Sequence, residues 1–287
     1  MAIKLREVTP ADTENVGRIV FEAFRGIAQQ HNFPLDFPSV EAGLGFAGAW
    51  VGNPHVYGVV AEDDGKFIGS NFLSEFDEIR GVGPITVDPA AQSRGTGRML
   101  MEAVIERGRS GTGIRLVQDA FNTKSMSLYA SLGFDVVEPL ALMSGKPSGE
   151  LPAGYAVRPM TADSAAEAAA LCEKVYGISR ANELQMMASM GGGFVTERDG
   201  RITAYMSSIA AWHMNHGVAE TDEDMQNLLL GASQQAVAPI ALLLPVRQAN
   251  LHRWALRSGL RMVKPLTLMA MGKYREPQGS FFPSVMY

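Results

Sequence analysis

The chain has 287 residues and a single cysteine, Cys172. One cysteine excludes an intrachain disulfide and any zinc site built on cysteines. Its Ala-rich surroundings, Ala165 to Val175, read as a helix with Cys172 as a small core residue. Long apolar runs are also missing. No window of about 18 uncharged apolar residues occurs, and the opening MAIKLREVTPAD has no basic segment followed by an apolar one. The expectation is a cytoplasmic protein with no membrane partner. Excess positive charge is absent too: 25 Lys and Arg stand against 30 Asp and Glu, a formal charge of −5. Bulk electrostatics therefore argue against nucleic acid as a partner. An anionic ligand is not excluded, because open backbone N–H groups at a helix start hold phosphate whatever the net charge.

What is present suits a globular protein. Hydrophobic residues make up 46% and charged residues 19%, enough to bury a real core. The length suggests two domains. Ser144 to Gly154, rich in Gly, Pro and Ser, reads as a linker. It divides the chain into 1–146 and 153–287. The two halves open alike, with Leu5-Arg6-Glu7-Val8-Thr9-Pro10-Ala11-Asp12 against Val157-Arg158-Pro159-Met160-Thr161-Ala162-Asp163. Each is a short strand, a Thr/Asp cap and a helix. They also close alike. Gly133 and Gly259 are 126 positions apart, and so are Met143 and Met269. Two separate matches at one offset point to an internal repeat.

In the first half the pattern predicts helices near Asp12–Gln30 and Ser39–Val51. A hairpin follows, with strands at Val56–Ala61 and Phe67–Glu75 around Asp63-Asp64-Gly65. Further strands are expected at Gly83–Val87, Ile114–Phe121 and Phe134–Met143, with helices at Gly97–Gly108 and Thr123–Leu132. The class is mixed α/β.

The informative segment runs from Val87 to Leu100. An apolar strand enters a Gly-rich turn and then an amphipathic helix with Leu100, Val104 and Ile105 on its buried stripe. Such a turn lines up N–H groups at a helix N-terminus, where the macrodipole favours phosphate. Gly95 and Gly97 allow close approach and positive φ, and Arg94 and Arg98 add positive charge. A P-loop needs Lys-Ser/Thr after its last glycine, and here Arg98-Met99 follows. A dinucleotide fingerprint needs a small residue where Leu100 stands.

Gln92-Ser93-Arg94-Gly95-Thr96-Gly97 resembles the Gln/Arg-x-x-Gly-x-Gly/Ala pyrophosphate motif of the GNAT superfamily of N-acetyltransferases. Downstream, Asn122 to Phe134 is similar to that family's second signature, with Asn122, Tyr129 and Gly133-Phe134 in place. The resemblance covers most of the first half. It implies tandem GNAT folds, each with a central twisted mixed sheet flanked by helices, and acetyl-CoA as cosubstrate without a metal. It implies that backbone N–H groups around Ile85, Thr86 and Val87 bind the pantetheine arm and the acetyl carbonyl. Gln92, Ser93, Arg94, Gly95, Thr96, Gly97 and Arg98 would hold the pyrophosphate. Asn122 and Ser125 would contact the cofactor, and Tyr129 would protonate the leaving thiolate.

Other roles stay open at this point. The acceptor amine must lose a proton before it attacks, and Glu75, Asp77, Glu78, Asp119 or water could take it. The loop Gln29 to Pro38 either walls the acceptor pocket or is pinned to the core by Phe33 and Phe37. His213 and His216 lack further ligands and read as part of a polar loop. The second half reads as a decayed copy. The repeat offset sets Ala255 against Tyr129 and Gln248 against Asn122, and Gly217 to Leu230 carries Glu220, Asp222, Glu223 and Asp224 where phosphate would sit. The apolar end, Phe281 to Tyr287, is expected to dock beside the first cleft. The functional expectation is acetyl transfer to a primary amine of a small molecule or peptide by direct attack in a ternary complex. A binding module without catalysis, a longer acyl donor, and monomer or homodimer all remain open.

Overall fold

The computed structural model describes residues 3–92 and 94–287. β1 (Lys4–Glu7) turns through Pro10–Asp12 into α1 (Thr13–His31). The turn is pinned by Asp12, whose carboxylate accepts from the Thr9 N–H at 2.8 Å and pairs with Arg6 at 2.7 Å. α1 ends on Asn32 at φ 57°, a left-handed conformation that asparagine tolerates. Ser39 caps α2 (Val40–Trp50). β2 (Val56–Asp63) and β3 (Lys66–Ser74) form the expected hairpin, with positive φ at Asp64 and Gly65.

The strand expected at Gly83–Val87 is broken. β4 (Ile79–Val82) stops at a cis Gly83–Pro84 bond, and β5 (Thr86–Val87) resumes beyond it. Pro84 has no N–H to give a ladder, so the chain swerves there. α3 (Thr96–Gly108), β6 (Gly113–Asp119), α4 (Thr123–Ser131) and β7 (Asp135–Gly145) complete the first repeat. The second repeat holds β8 (Tyr155–Pro159), α5 (Ala162–Tyr176), α6 (Ala181–Ser189), β9 (Phe194–Arg198), β10 (Arg201–Met206), β11 (Gly217–Ala219), α7 (Asp222–Gln235), β12 (Ile240–Pro245), α8 (Ala249–Ser258), β13 (Leu260–Gly272) and β14 (Ser280–Phe282).

The sheets do not follow the 1–146 and 153–287 partition of the chain. A nine-stranded sheet runs β1-β2-β3-β4-β6-β13-β7-β12, with β5 beside β3. β13 of the second repeat lies between β6 and β7 of the first. Reciprocally, β7 lies between β12 and β13. Each repeat therefore gives its last long strand to the other. The register shows an internal two-fold relation. Leu140 pairs with Leu266, its own repeat equivalent, while Pro139 pairs with Thr267 and Ala141 with Pro265. The bulges obey the same symmetry, since Val137 and Val263 are the residues left out of register on the two strands. Leu140 and Leu266 pack into a shared core with Ala168, Leu171, Cys172 and Tyr205. Cys172 is fully enclosed, and burial pushes its thiol up to about 11. It is a packing residue.

The second sheet runs β14-β11-β10-β9-β8. Among the described residues no helix is long and apolar enough to cross a membrane.

Candidate active site

The first repeat opens a slot in its sheet. β4 pairs with β6 in parallel from Ile79 to Gly81 only. Past Pro84 the chain stays on β3, which β4 already pairs, and leaves β6; Thr86 faces Ser70 and Val87 faces Gly69. β4 and β5 thus lean one way while β6 runs on to Asp119. The Asp88 N–H donates to Ile68 O at 2.9 Å. Alternation along the ladder turns Thr86 the same way and points the N–H groups of Ile85 and Val87 at the gap.

The gap is a cleft of about 1140 Å³, whose walls include Ile85, Thr86, Val87, Leu116, Gln118 and Asp119. One end is the start of α3. Its cap is Gly95 at φ 85°, with no side-chain cap. The next N–H groups lack intrahelical acceptors, and no acidic residue lies in the first turn. A Cβ at Gly97 would come 3.6 Å from Leu128 Cδ2, so Gly97 keeps that approach open without being sterically forced.

Gln92, Gly95, Thr96, Gly97, Arg98, Asn122, Ser125 and Tyr129 all line this cleft. Ser93 lies outside the described residues. Arg94 departs from the expectation. It is not in the wall, and its guanidinium pairs with Asp63 at 2.7 Å across the hairpin end. Arg98 is in the wall but donates to Ser131 Oγ at 2.6 Å. The Thr86 hydroxyl is engaged with Ser70 at 3.0 Å. The Asn122 side chain caps α4 by accepting from the Ser125 N–H at 3.2 Å. The phosphate-holding features are therefore mainly backbone.

Tyr129 projects from α4 and is nearly enclosed. Burial first, and the Asp119 charge second, push its phenol well above the ordinary tyrosine value. It stays protonated and available as a proton donor across the physiological range.

The four carboxylate candidates separate cleanly. Glu75 pairs with Arg107 at 2.9 Å. Asp77 accepts from the N–H groups of Asn182 and Glu183 at the start of α6. Glu78 accepts from Thr112 and Ser179. None of these three lines the cleft, and Asp119 does. Burial raises its pKa, with Lys264 opposing and Asp36 adding to the rise.

Sequence reasoning missed Lys264 and Gln118. Lys264 is enclosed on β13 and lies 2.7 Å from both Asp36 and Asp119. It is the one charged residue between Met262 and Met271; a lone lysine in so apolar a strand was the available signal. Gln118 accepts from the Ser125 hydroxyl at 3.1 Å, yet its Nε2 is buried in the wall without a hydrogen-bond partner among the described residues. Thr96 Oγ1, also in the wall, is in the same position. A native interior rarely leaves such groups unpaired, and a polar ligand in the cleft would satisfy them.

The loop Gln29 to Pro38 does both things expected of it. His31, Asp36 and Phe37 line the cleft, while Phe33 stacks on Phe121 at 4.2 Å. The second repeat supplies Trp212, His213 and Met214. Burial lowers the His213 pKa, which keeps its ring neutral. Fully buried His216 meets Tyr205 at 3.2 Å. Val285 and Met286 of the tail also line the cleft. Among the described residues no set of three His, Cys, Asp or Glu is grouped to hold a metal ion.

Residues 20–134 match the family model described as the acetyltransferase (GNAT) family. The chain carries a GNAT domain. Over the full length, solved structures share the tandem fold. A candidate acetyltransferase of Pyrococcus horikoshii aligns over 99% of this chain and 94% of its own, at 16% identity and TM-score 0.71. A GCN5-related N-acetyltransferase of Sphaerobacter thermophilus aligns over 99% and 98%, at 14% and 0.63. A tandem GNAT protein from the clavulanic acid biosynthesis pathway aligns over 94% and 98%, at 13% and 0.57. At these identities the likeness is one of fold. No curated protein matches the chain. GNAT proteins use acyl-CoA, and the splayed strands, the open start of α3 and the unpaired Gln118 amide fit such a ligand.

The second repeat has the same slot, filled. β11 and β12 lie in separate sheets, and β14 from the tail pairs with β11 on its open edge, with Phe282 facing Gly217. A Cβ at Gly217 would lie 2.6 Å from the Phe282 ring, so glycine is required there. Gln248, the repeat equivalent of Asn122, accepts from the Phe281 N–H at 3.0 Å and donates to its carbonyl. At the start of α7 stand Asp222, Glu223 and Asp224, which oppose an anion.

Proposed function

We propose that the GNAT domain transfers an acetyl group from acetyl-CoA to a primary amine, in one site per chain. The observation that carries this reading is the pairing of Tyr129 and Asp119 in one cleft whose far end is the open start of α3. The pyrophosphate lies against the N–H groups of Gly95 to Arg98, and the pantetheine arm passes between β5 and β6. The N–H groups of Ile85 and Val87 polarise the thioester carbonyl and stabilise the oxyanion that develops. Asp119 takes one proton from the acceptor ammonium. The amine nitrogen then bonds to the carbonyl carbon, the carbon–sulfur bond breaks, Tyr129 gives its proton to the departing thiolate, and the second proton of the amine nitrogen returns to the Tyr129 phenolate as the amide forms. The products are an N-acetyl amide and coenzyme A, with one proton passed to solvent.

The test is thiol release from acetyl-CoA with a panel of primary amines. Amine-dependent release that is lost in Tyr129→Phe supports transfer. Acetyl-CoA binding with no release for any amine would replace the enzyme with a binding module.

A further inference from the structure

The cleft is also lined by residues of α1, α2, the loop between them and β13, and its chemistry there is divided. Its floor is ionic: Asp36 and Asp119 both contact Lys264 at 2.7 Å. Two carboxylates on one ammonium leave one net negative charge in a desolvated place. The other part, from α1, α2 and the loop between them, is aromatic. Phe24, Phe37, Phe46 and Trp50 all line the cleft and are only half-buried. Phe46 lies 5.2 Å from Trp50 with its ring tilted, and Phe37 meets Phe24 edge to face at 5.4 Å.

On the basis of the acetyl-transfer reading, we propose that the acceptor is an arylalkylamine: one ammonium on a flexible stem with an aromatic body and no neighbouring carboxylate. The single net charge balances one ammonium, and the aromatic walls bury one flat apolar body. A polyamine would bring several ammonium groups to a place with one net negative charge to balance them, and an aminoglycoside would also bury many hydroxyls there unpaired. An amino acid would set its carboxylate beside Asp36 and Asp119, whose shared lysine is already engaged.

The experiment measures thiol release by the full chain with acetyl-CoA and, in turn, tryptamine, 2-phenylethylamine, tryptophan, spermidine and kanamycin. The two arylalkylamines should exceed the other three by at least about tenfold in kcat/KM, near 1.4 kcal/mol. Trp50→Ala should raise the tryptamine KM by about tenfold, with acetyl-CoA affinity unchanged as the check on folding. Preference for spermidine or kanamycin would overturn the acceptor class while leaving acetyl transfer standing. Preference for tryptophan would mean that Lys264 reads a carboxylate, and would also overturn it. Faster turnover of octanoyl-CoA than acetyl-CoA with the same amine would assign the aromatic walls to the acyl chain instead. Release with no amine at all would remove the transferase reading, and this inference with it.

Discussion

The two repeats treat one slot in opposite ways. In the first, β4 and β6 part and leave a cleft walled by polar groups without internal partners. In the second, β11 and β12 lie in separate sheets and β14 stands between them, paired with β11 and packed against β12, with Phe281 and Phe282 buried. The first turn of α3 carries no acidic residue, whereas α7 begins with three carboxylates. Losing a ligand site is therefore more than losing its contact residues. A slot without its ligand is a void, and burying a large apolar side chain there stabilises by about 1.5–3 kcal/mol. The tail supplies that filling, and Gln248 holds its backbone where the other repeat presents Asn122 to the cleft.

The largest effect should come from separating the repeats. Residues 1–150 expressed alone should show no cooperative unfolding transition, and co-expression with 151–287 should restore it, because β13 completes the first sheet. A stable first half that binds acetyl-CoA would break the comparison at its root. Within the intact chain, Tyr129→Phe should lower kcat by about 100-fold or more and leave acetyl-CoA affinity within about twofold, by rapid kinetics and calorimetry. A turnover equal to wild type across the pH range would end the proton-donor role. Leu140→Ala and Leu266→Ala should each cost about 2–5 kcal/mol in denaturant unfolding. The two costs should agree closely, since the residues face each other across the internal two-fold; a large inequality would show that the repeats have diverged even there.

Gly97→Glu would give α3 the acidic start of α7 and should weaken acetyl-CoA binding by about 10- to 100-fold. The wild-type stoichiometry should be one per chain, and a second site in the titration would show that the tail does not close the other slot. The smallest effect concerns pH. Below its midpoint Asp119 is protonated and cannot accept the amine's proton, so kcat/KM should rise with pH through a midpoint above the ordinary aspartate value of about 3.9. Asp119→Asn should remove that limb.

Much of this was readable from the residues. Periodicity and caps placed the helices within a residue or two, and Asp64-Gly65 marked its hairpin. The Gly-x-Gly turn and Tyr129 marked the cleft. Three things were not readable. β13 is apolar on both faces, as a central strand must be, and such a strand does not name its neighbours; its place between β6 and β7 is set by three-dimensional closure. Arg94 was assigned by proximity in sequence to the phosphate turn, but a long exposed side chain finds partners across space, here Asp63. Lys264 meets Asp36 and Asp119 only through the strand exchange. No local pattern could join residues so far apart in the chain.

The exchange of β7 and β13 also sets a timetable. During synthesis the first repeat leaves the ribosome with β6 and β7 bordering an empty lane, and the strand for that lane is made more than a hundred residues later. Two unpaired edges are then exposed to neighbouring chains. Closure waits for contacts of very long sequence separation, which slow folding. Lys264 arrives on that same late strand, so the cleft is among the last parts of the molecule to exist.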